Sequence, residues 1–238
     1  MKKRQDVIRI GVAFQYFSSW QGGIDFCINV LRALSLYAKG NDLIEIYCFI
    51  PTELSQYTIK EIEKKIELII DVKRNSPKST IVFCNEKNYN HLICQYKINV
   101  IFPHHGVSAK IKNVVKLGYI PDLQHRTFSQ NFKRDDIAKR DREYKGILEK
   151  LDYVLVNSND VKCDLQKYYA PFRAEVVVLP WYPVMSKLHV VKSNSFRKIK
   201  AKYNLPDKYF MISNQFWKHK DHLTAFKALE QMYEEGYH

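Results

Sequence analysis

The sequence predicts an α/β fold built on a doubly wound parallel sheet, and three observations carry that expectation. Short apolar runs alternate with amphipathic stretches along most of the 238 residues, the pattern of βα units whose strands are buried on both faces. Several runs stop at proline, at Pro51, Pro103, Pro121 and Pro180, which cannot donate to a strand ladder. Between them lie helical periods, the clearest being Ile59, Ile62, Ile66, Ile69 and Ile70 with Lys and Glu on the outer side.

Taken in order, residues 7–14 (VIRIGVAF) read as the first strand. A polar, aromatic loop runs to Gly22-Gly23, and a helix follows with Ile24, Ile28, Leu31 and Leu34 on one face and Gly40 as its stop. Strand 43–50 and the isoleucine-rich helix to residue 70 come next, then strand 80–84, helix 87–96 and strand 99–102. Strand 114–120 ends at Pro121-Asp122, a charged helix spans 135–150, and Tyr153-Val154-Leu155-Val156 is a further strand. Asn157-Ser158-Asn159-Asp160 supplies capping oxygens for a helix through Tyr169, and strand 175–179 closes the series. From 181 to 207 the periodicity weakens into a basic linker with a short helix near 196–203. A new βα unit then opens with strand 209–213 and a helix carrying Leu223, Phe226, Leu229 and Met232. One βα unit cannot bury both faces of a strand, so the second domain reads as incomplete. The expected organisation is a first domain over 1–182, a linker over 183–207 and the start of a second domain over 208–238.

Composition narrows the function. With 38 Lys and Arg against 25 Asp and Glu, the net charge is +13, which suits an anionic partner or a Lys-rich solvated surface equally. Five widely spaced cysteines (Cys27, Cys48, Cys84, Cys94, Cys163) offer neither a CxxC pair nor metal-ligand spacing, so no zinc site and no disulfide framework is expected. Most fall in apolar segments, as small hydrophobes in a reducing compartment do. No apolar run approaches about 18 residues and no cleavage site follows the basic start, so neither a spanning helix nor a leader is expected.

In a doubly wound sheet, ligands bind beyond the carboxyl ends of the strands. Gly22 and Gly23 fall after the first strand, where small residues at a helix N-terminus let backbone N–H groups approach an anion; a tight turn explains the same pair. The GxGxxG spacing of dinucleotide folds is absent, which argues against a dehydrogenase. Asp122 and His125 follow another strand and can orient a hydroxyl or move a proton. A turn cap and a packed imidazole account for them as well. His104 and His105 are adjacent on an extended segment and point opposite ways, so joint metal ligation is not expected. Residues 214–222 (NQFWKHKDH) form a cationic strand-to-helix junction, in which Lys220 can neutralise a phosphate leaving group. An exposed basic loop with Asp221 capping the helix is the plainer alternative.

In their order and spacing, the Gly22-Gly23 loop, Ile120-Pro121-Asp122-Leu123-Gln124-His125, Val154-Leu155-Val156-Asn157-Ser158, Val178-Leu179-Pro180 and Ser213 through His222 resemble the GT-B glycosyltransferases of family 4. The resemblance covers nearly the whole chain. It implies two Rossmann-like domains facing a cleft, an acceptor-side domain first and a nucleotide-sugar domain second, here incomplete. It implies sugar transfer to a glycan or lipid-linked acceptor, with retention at the anomeric carbon, in cell-surface polysaccharide synthesis. By the same resemblance Gly22 and Gly23 bring amides to the donor pyrophosphate, Asp122 and His125 line the reacting sugar and acceptor, and Lys220 offsets charge on the departing diphosphate. Two positions depart from the family pattern. Gln215 stands where an Arg is common, and Pro121 stands where many members have His directly before the Asp. The paired glutamates that contact the donor in the family have no counterpart before His238, so this stretch alone is expected to be inactive. Neither a metal nor another cofactor is expected. The expected location is the cytoplasm, with peripheral contact at the inner face of an acidic membrane. A non-catalytic fragment and a basic nucleic-acid-binding α/β protein are the alternatives, although nucleic acid is not the expected partner.

Overall fold

The computed structural model describes residues 6–14, 21–70, 78–105, 111–180, 182, 184 and 193–237. The expected loop over 15–20, Gly106, and most of the linker between 181 and 192 lie outside the described residues.

The chain divides into two compact units, Met1–Thr127 with Arg134–Val184, and Phe128–Lys133 with Met185–His238. In the first unit β1 (Ile8–Ala13) leads to α1 (Gln21–Tyr37), β2 (Ile44–Pro51), α2 (Gln56–Ile70), β3 (Lys78–Cys84), α3 (Tyr89–Gln95) and β4 (Val100–Phe102). Then come β5 (Val115–Ile120), the one-turn α4 (Gln124–Thr127), α5 (Arg134–Lys150), β6 (Tyr153–Val156), α6 (Asn159–Tyr169) and β7 (Glu175–Val178). The seven strands form one sheet in the order β3-β2-β1-β4-β5-β6-β7, every neighbouring pair parallel. The strand order reverses between β1 and β4, the switch point at which such sheets leave a crevice.

The strand side chains alternate as a pleated backbone requires. Val12, Ile46, Cys48, Ile50, Phe102 and Tyr119 join the apolar faces of α1 and α2 in one core. Ala13, Tyr47, Phe49 and Ile101 face the other way, onto Tyr89 and Ile93 of α3. Ile120, Val154 and Val156 pack against α5 and α6 through Tyr144, Ile147, Leu148, Val161 and Leu165. Register pairs Gly118 with Val154 and Ile120 with Val156. An added Cβ on Gly118 would lie 2.8 Å from Ile147 Cγ2 and 2.9 Å from Leu151 Cδ1; the glycine lets α5 sit close on the sheet. Gly40, at φ +75°, ends the turn after α1 as expected.

The predicted strands and long helices form within one to three residues of their expected bounds, with three corrections. α1 begins at Gln21, so Gly22 and Gly23 lie inside its first turn rather than in the preceding loop. Burial of Ile24, Phe26 and Cys27 outweighs the poor helix propensity of two glycines. α4 and a 3₁₀ turn at Ser129–Asn131 occupy a stretch too short to show a period. The third correction is in the second unit, which contains α7 (Ser193–Tyr203), a 3₁₀ turn at Lys218–Lys220 and α8 (His222–Glu234). The strand expected over 209–213 is not formed, and Phe210 and Met211 are exposed. A strand exists only where a neighbour completes its ladder, and no strand lies beside it among the described residues of that unit.

Among the described residues, no helix is long and apolar enough to cross a membrane.

Candidate functional site

The residues that follow the strands set the chemistry at the carboxyl edge of the sheet. α1 is the next described element after β1, with Gly23 buried and Gly22 half-buried, and carries no acidic residue in its first turn. The helix is held in position from two sides. The Cys27 thiol donates to the Ala13 carbonyl at 3.7 Å, tying α1 to the end of β1. Phe26 stacks on Tyr119 of β5, with centroids 4.3 Å apart and planes at 15°, and meets Phe102 of β4 edge-on at 5.8 Å. Such aromatic pairs add about 1 kcal/mol each beyond the area they bury. These contacts hold the described start of α1 against β1, β4 and β5, and the positive end of a helix dipole lies at that end.

β4 ends at Pro103-His104-His105. His104 is buried and stacks on Tyr89 at 6.3 Å, while its backbone N–H donates to the Leu117 carbonyl at 2.8 Å. Burial pulls His105 down to about 4, His104 adds to that, and a hydrogen bond with the Tyr119 backbone opposes it. His105 is accordingly a neutral imidazole at physiological pH. Burial, with the charge of Asp122 behind it, raises the Tyr119 phenol to about 12, which keeps it a hydroxyl. Cys27, Cys48 and Cys84 are held as thiols by burial, the last two at about 12. They are core groups rather than nucleophiles.

Beyond β5, Asp122 Oδ1 accepts from the Gln124 N–H at 3.2 Å and so caps α4. His125 is fully buried. Its Nε2 lies 2.9 Å from the Tyr169 hydroxyl and 3.2 Å from Asp141 Oδ1. The sequence-predicted pair thus divides: Asp122 is part-exposed at the sheet edge, whereas His125 belongs to a buried group with Asp141, Arg126 and Tyr169. Burial raises the Asp141 carboxyl, but hydrogen bonds from Tyr169 and Arg126 outweigh it and hold the group below the usual carboxylate range. Burial likewise lowers His125, and Asp141 offsets that only in part. Beyond β6, Ser158 accepts from Val161 N–H at 3.3 Å and caps α6.

In the second unit, Gln215 Oε1 accepts from Trp217 Nε1 at 2.6 Å. Lys220 closes the 3₁₀ turn with its side chain exposed. Asp221, at φ +49°, accepts from the Thr224 hydroxyl at 2.8 Å instead of capping a backbone N–H of α8. Gly22, Gly23, Asp122 and His125 belong to the first unit, and Gln215 and Lys220 to the second.

Two groups escaped the reading of the sequence. One is Asp141, although its signal was present: it shares the helical stripe of Tyr144, Leu148 and Leu151, and a carboxylate on an apolar stripe announces buried partners. The other is Asn29, whose amide donates to the Tyr182 carbonyl at 2.9 Å and accepts from Val184 N–H at 2.6 Å. It fastens the chain leaving β7 onto α1. Among the described residues, no group of three or more His, Cys, Asp or Glu is placed to hold a metal ion.

No family model, no curated protein and no solved structure matches the chain. What the described residues bring to the carboxyl edge of the sheet is the start of α1, the neutral imidazole of His105, the Tyr119 hydroxyl and the Asp122 carboxylate.

Proposed function

We propose that the chain takes part in sugar transfer from a nucleotide-sugar to a glycan or lipid-linked acceptor, as a GT-B glycosyltransferase of family 4 does. The supporting observation is the reversal of strand order between β1 and β4, with the glycine-bearing first turn of α1 beside it. A parallel sheet of this order collects ligands at that point, and the unpaired N–H groups of a helix start suit phosphate oxygens. In this reading the first turn of α1 receives the donor diphosphate, and Asp122 orients the reacting sugar or acceptor. Within the second unit, Lys220 and Gln215 are the side chains that the family resemblance assigns to phosphate. As the glycosidic bond breaks, negative charge grows on the departing nucleoside diphosphate, and fixed N–H dipoles with a cation lower the barrier. His125, being buried, shapes the turn that carries Asp122 and does not itself meet the acceptor. The excess positive charge suits nucleotide phosphates and an acidic membrane that bears lipid-linked acceptors.

Because the 238-residue stretch alone is expected to be inactive, the test is release of nucleoside diphosphate by the complete enzyme, one that also carries the paired glutamates, from a panel of nucleotide-sugars with lipid-linked and glycan acceptors. Lys220→Ala should cut turnover by about 100- to 1000-fold, the usual cost of one charge-stabilising donor, with acceptor KM little changed. Full turnover in that variant would remove the role of Lys220. Absence of release with every donor would remove the sugar-transfer reading.

A further inference from the structure

Three elements converge on one carboxylate in the first unit. Arg126 of α4 reaches Asp141 through Nε at 2.8 Å and through its terminal nitrogen at 2.5 Å. The Tyr169 hydroxyl, at the end of α6, donates to Asp141 Oδ1 at 2.6 Å. His125 Nε2 approaches that same oxygen at 3.2 Å and the Tyr169 oxygen at 2.9 Å. The side chain of Asp141 is 16% exposed and that of His125 not at all.

The shorter of the two Tyr169 contacts, 2.6 Å to Asp141 Oδ1 against 2.9 Å to Nε2, places the Tyr169 proton on the carboxylate side. An ionised carboxylate only accepts, so Asp141 takes the Tyr169 proton and the Arg126 protons. The Tyr169 oxygen, its own proton committed, has lone pairs to offer to Nε2. Both neighbours of Nε2 therefore call for a donor there. We infer that Asp141 is a positioning residue that fixes His125 as its Nε2–H tautomer and thereby locks α4 and the Asp122 turn that opens it. The lock passes through the backbone: Asp122 Oδ1 accepts from Gln124 N–H, and Arg126 and Thr127 N–H donate to the Leu123 carbonyl at 2.8 and 3.0 Å. With His125 and Arg126 both held by Asp141, the one-turn helix cannot rotate without breaking the group. The charged and titratable groups around the ring are Arg126 from α4, Arg140, Asp141 and Tyr144 from α5, and Tyr169 from α6.

The consequence for catalysis rests on the sugar-transfer reading, whereas the tautomer does not, and the experiment separates them. Nitrogen-15 NMR of the His125 ring in the 238-residue chain should show Nε2 protonated and Nδ1 unprotonated at neutral pH. Tyr169→Phe, which keeps the carboxylate, should preserve that tautomer. Asp141→Ala frees the Tyr169 proton to donate to Nε2 and should bring in the Nδ1–H form. In the transfer assay, folded Asp141→Ala should lose about 100-fold in kcat, the scale of a misplaced reacting group, with nucleotide-sugar KM little changed. An Nδ1–H ring in the unmutated chain, or a tautomer ratio unmoved by Asp141→Ala, would overturn the inference. If Asp141→Ala does not fold, the unmutated spectrum decides by itself. Unchanged kcat in folded Asp141→Ala would overturn the positioning role. Failure of every donor would fell the sugar-transfer reading and leave the ring spectrum to decide this one.

Discussion

Glu45 lies between cations on the two neighbouring strands. Register sets Arg9 of β1 and Lys78 of β3 opposite it, and the pairs close at 2.9 and 3.2 Å, with the Tyr47 hydroxyl adding a third hydrogen bond at 3.0 Å. Burial raises the Glu45 carboxyl, and the bonds from Lys78, Tyr47 and Arg9 more than reverse it, so its folded-state value is lowered. Its stabilising share is therefore present above the unfolded carboxylate range and fades as pH falls through the lowered value. Glu45→Gln should cost about 1 kcal/mol at neutral pH, read by urea unfolding, because Lys78 is largely solvated and Arg9 partly so. His105 has the opposite consequence. It is held neutral down to about 4, so the unfolded chain takes up a proton first. Stability should fall as pH drops from about 6.5 towards 4, by about 3 kcal/mol if the whole shift is expressed. His125, lowered by burial, contributes in the same direction. His105→Asn should flatten the slope between about pH 6.5 and 4.5; an unchanged slope would mean that the imidazole charges freely in the folded chain.

At the scale of elements, the close approach of α5 to the sheet depends on Gly118. Gly118→Ala should lower stability by about 1–3 kcal/mol, the range for overpacking, since both Ile147 and Leu151 stand under 3.0 Å from the new methyl. Asn29→Ala should leave the fold intact and speed hydrogen exchange at the Val184 amide, which Asn29 Oδ1 now accepts. β2 was legible because both its faces are buried, which writes it as a nearly unbroken apolar run; 153–156 forms on its predicted bounds with one face buried, through Val154 and Val156, while Tyr153 is exposed. α2 was legible because Ile59, Ile62, Ile66 and Ile69 repeat on one face and are buried there. α4 was not, since four residues show no period. The expected strand at 209–213 failed for a different reason: a strand's hydrogen bonds are non-local, and an apolar run does not say what pairs with it. Of the candidate site, position along the sheet edge could be read, because strand ends follow from strand bounds. The inward turn of His125 could not, because it depends on Asp141 and Tyr169, 16 and 44 residues away.

For the molecule as a whole, the proposed function depends on one physical claim: that the first turn of α1, braced by Phe26 on Tyr119 and by Cys27 on the end of β1, is where a diphosphate would bind. Positive charge on the surface is not enough to establish this, since a net +13 attracts any polyanion and does so in a salt-dependent way. A phosphate bound by a helix end is local and involves named backbone amides. The direct measurement is a titration of the nitrogen-15-labelled chain with nucleoside diphosphates at physiological ionic strength, following the Gly22 and Gly23 amides. Saturable shifts at these two amides, larger than those elsewhere in the first unit, are the expected result. Silence at both glycines with every nucleotide, or shifts spread over the basic surface that vanish with added salt, would contradict diphosphate binding at the switch point.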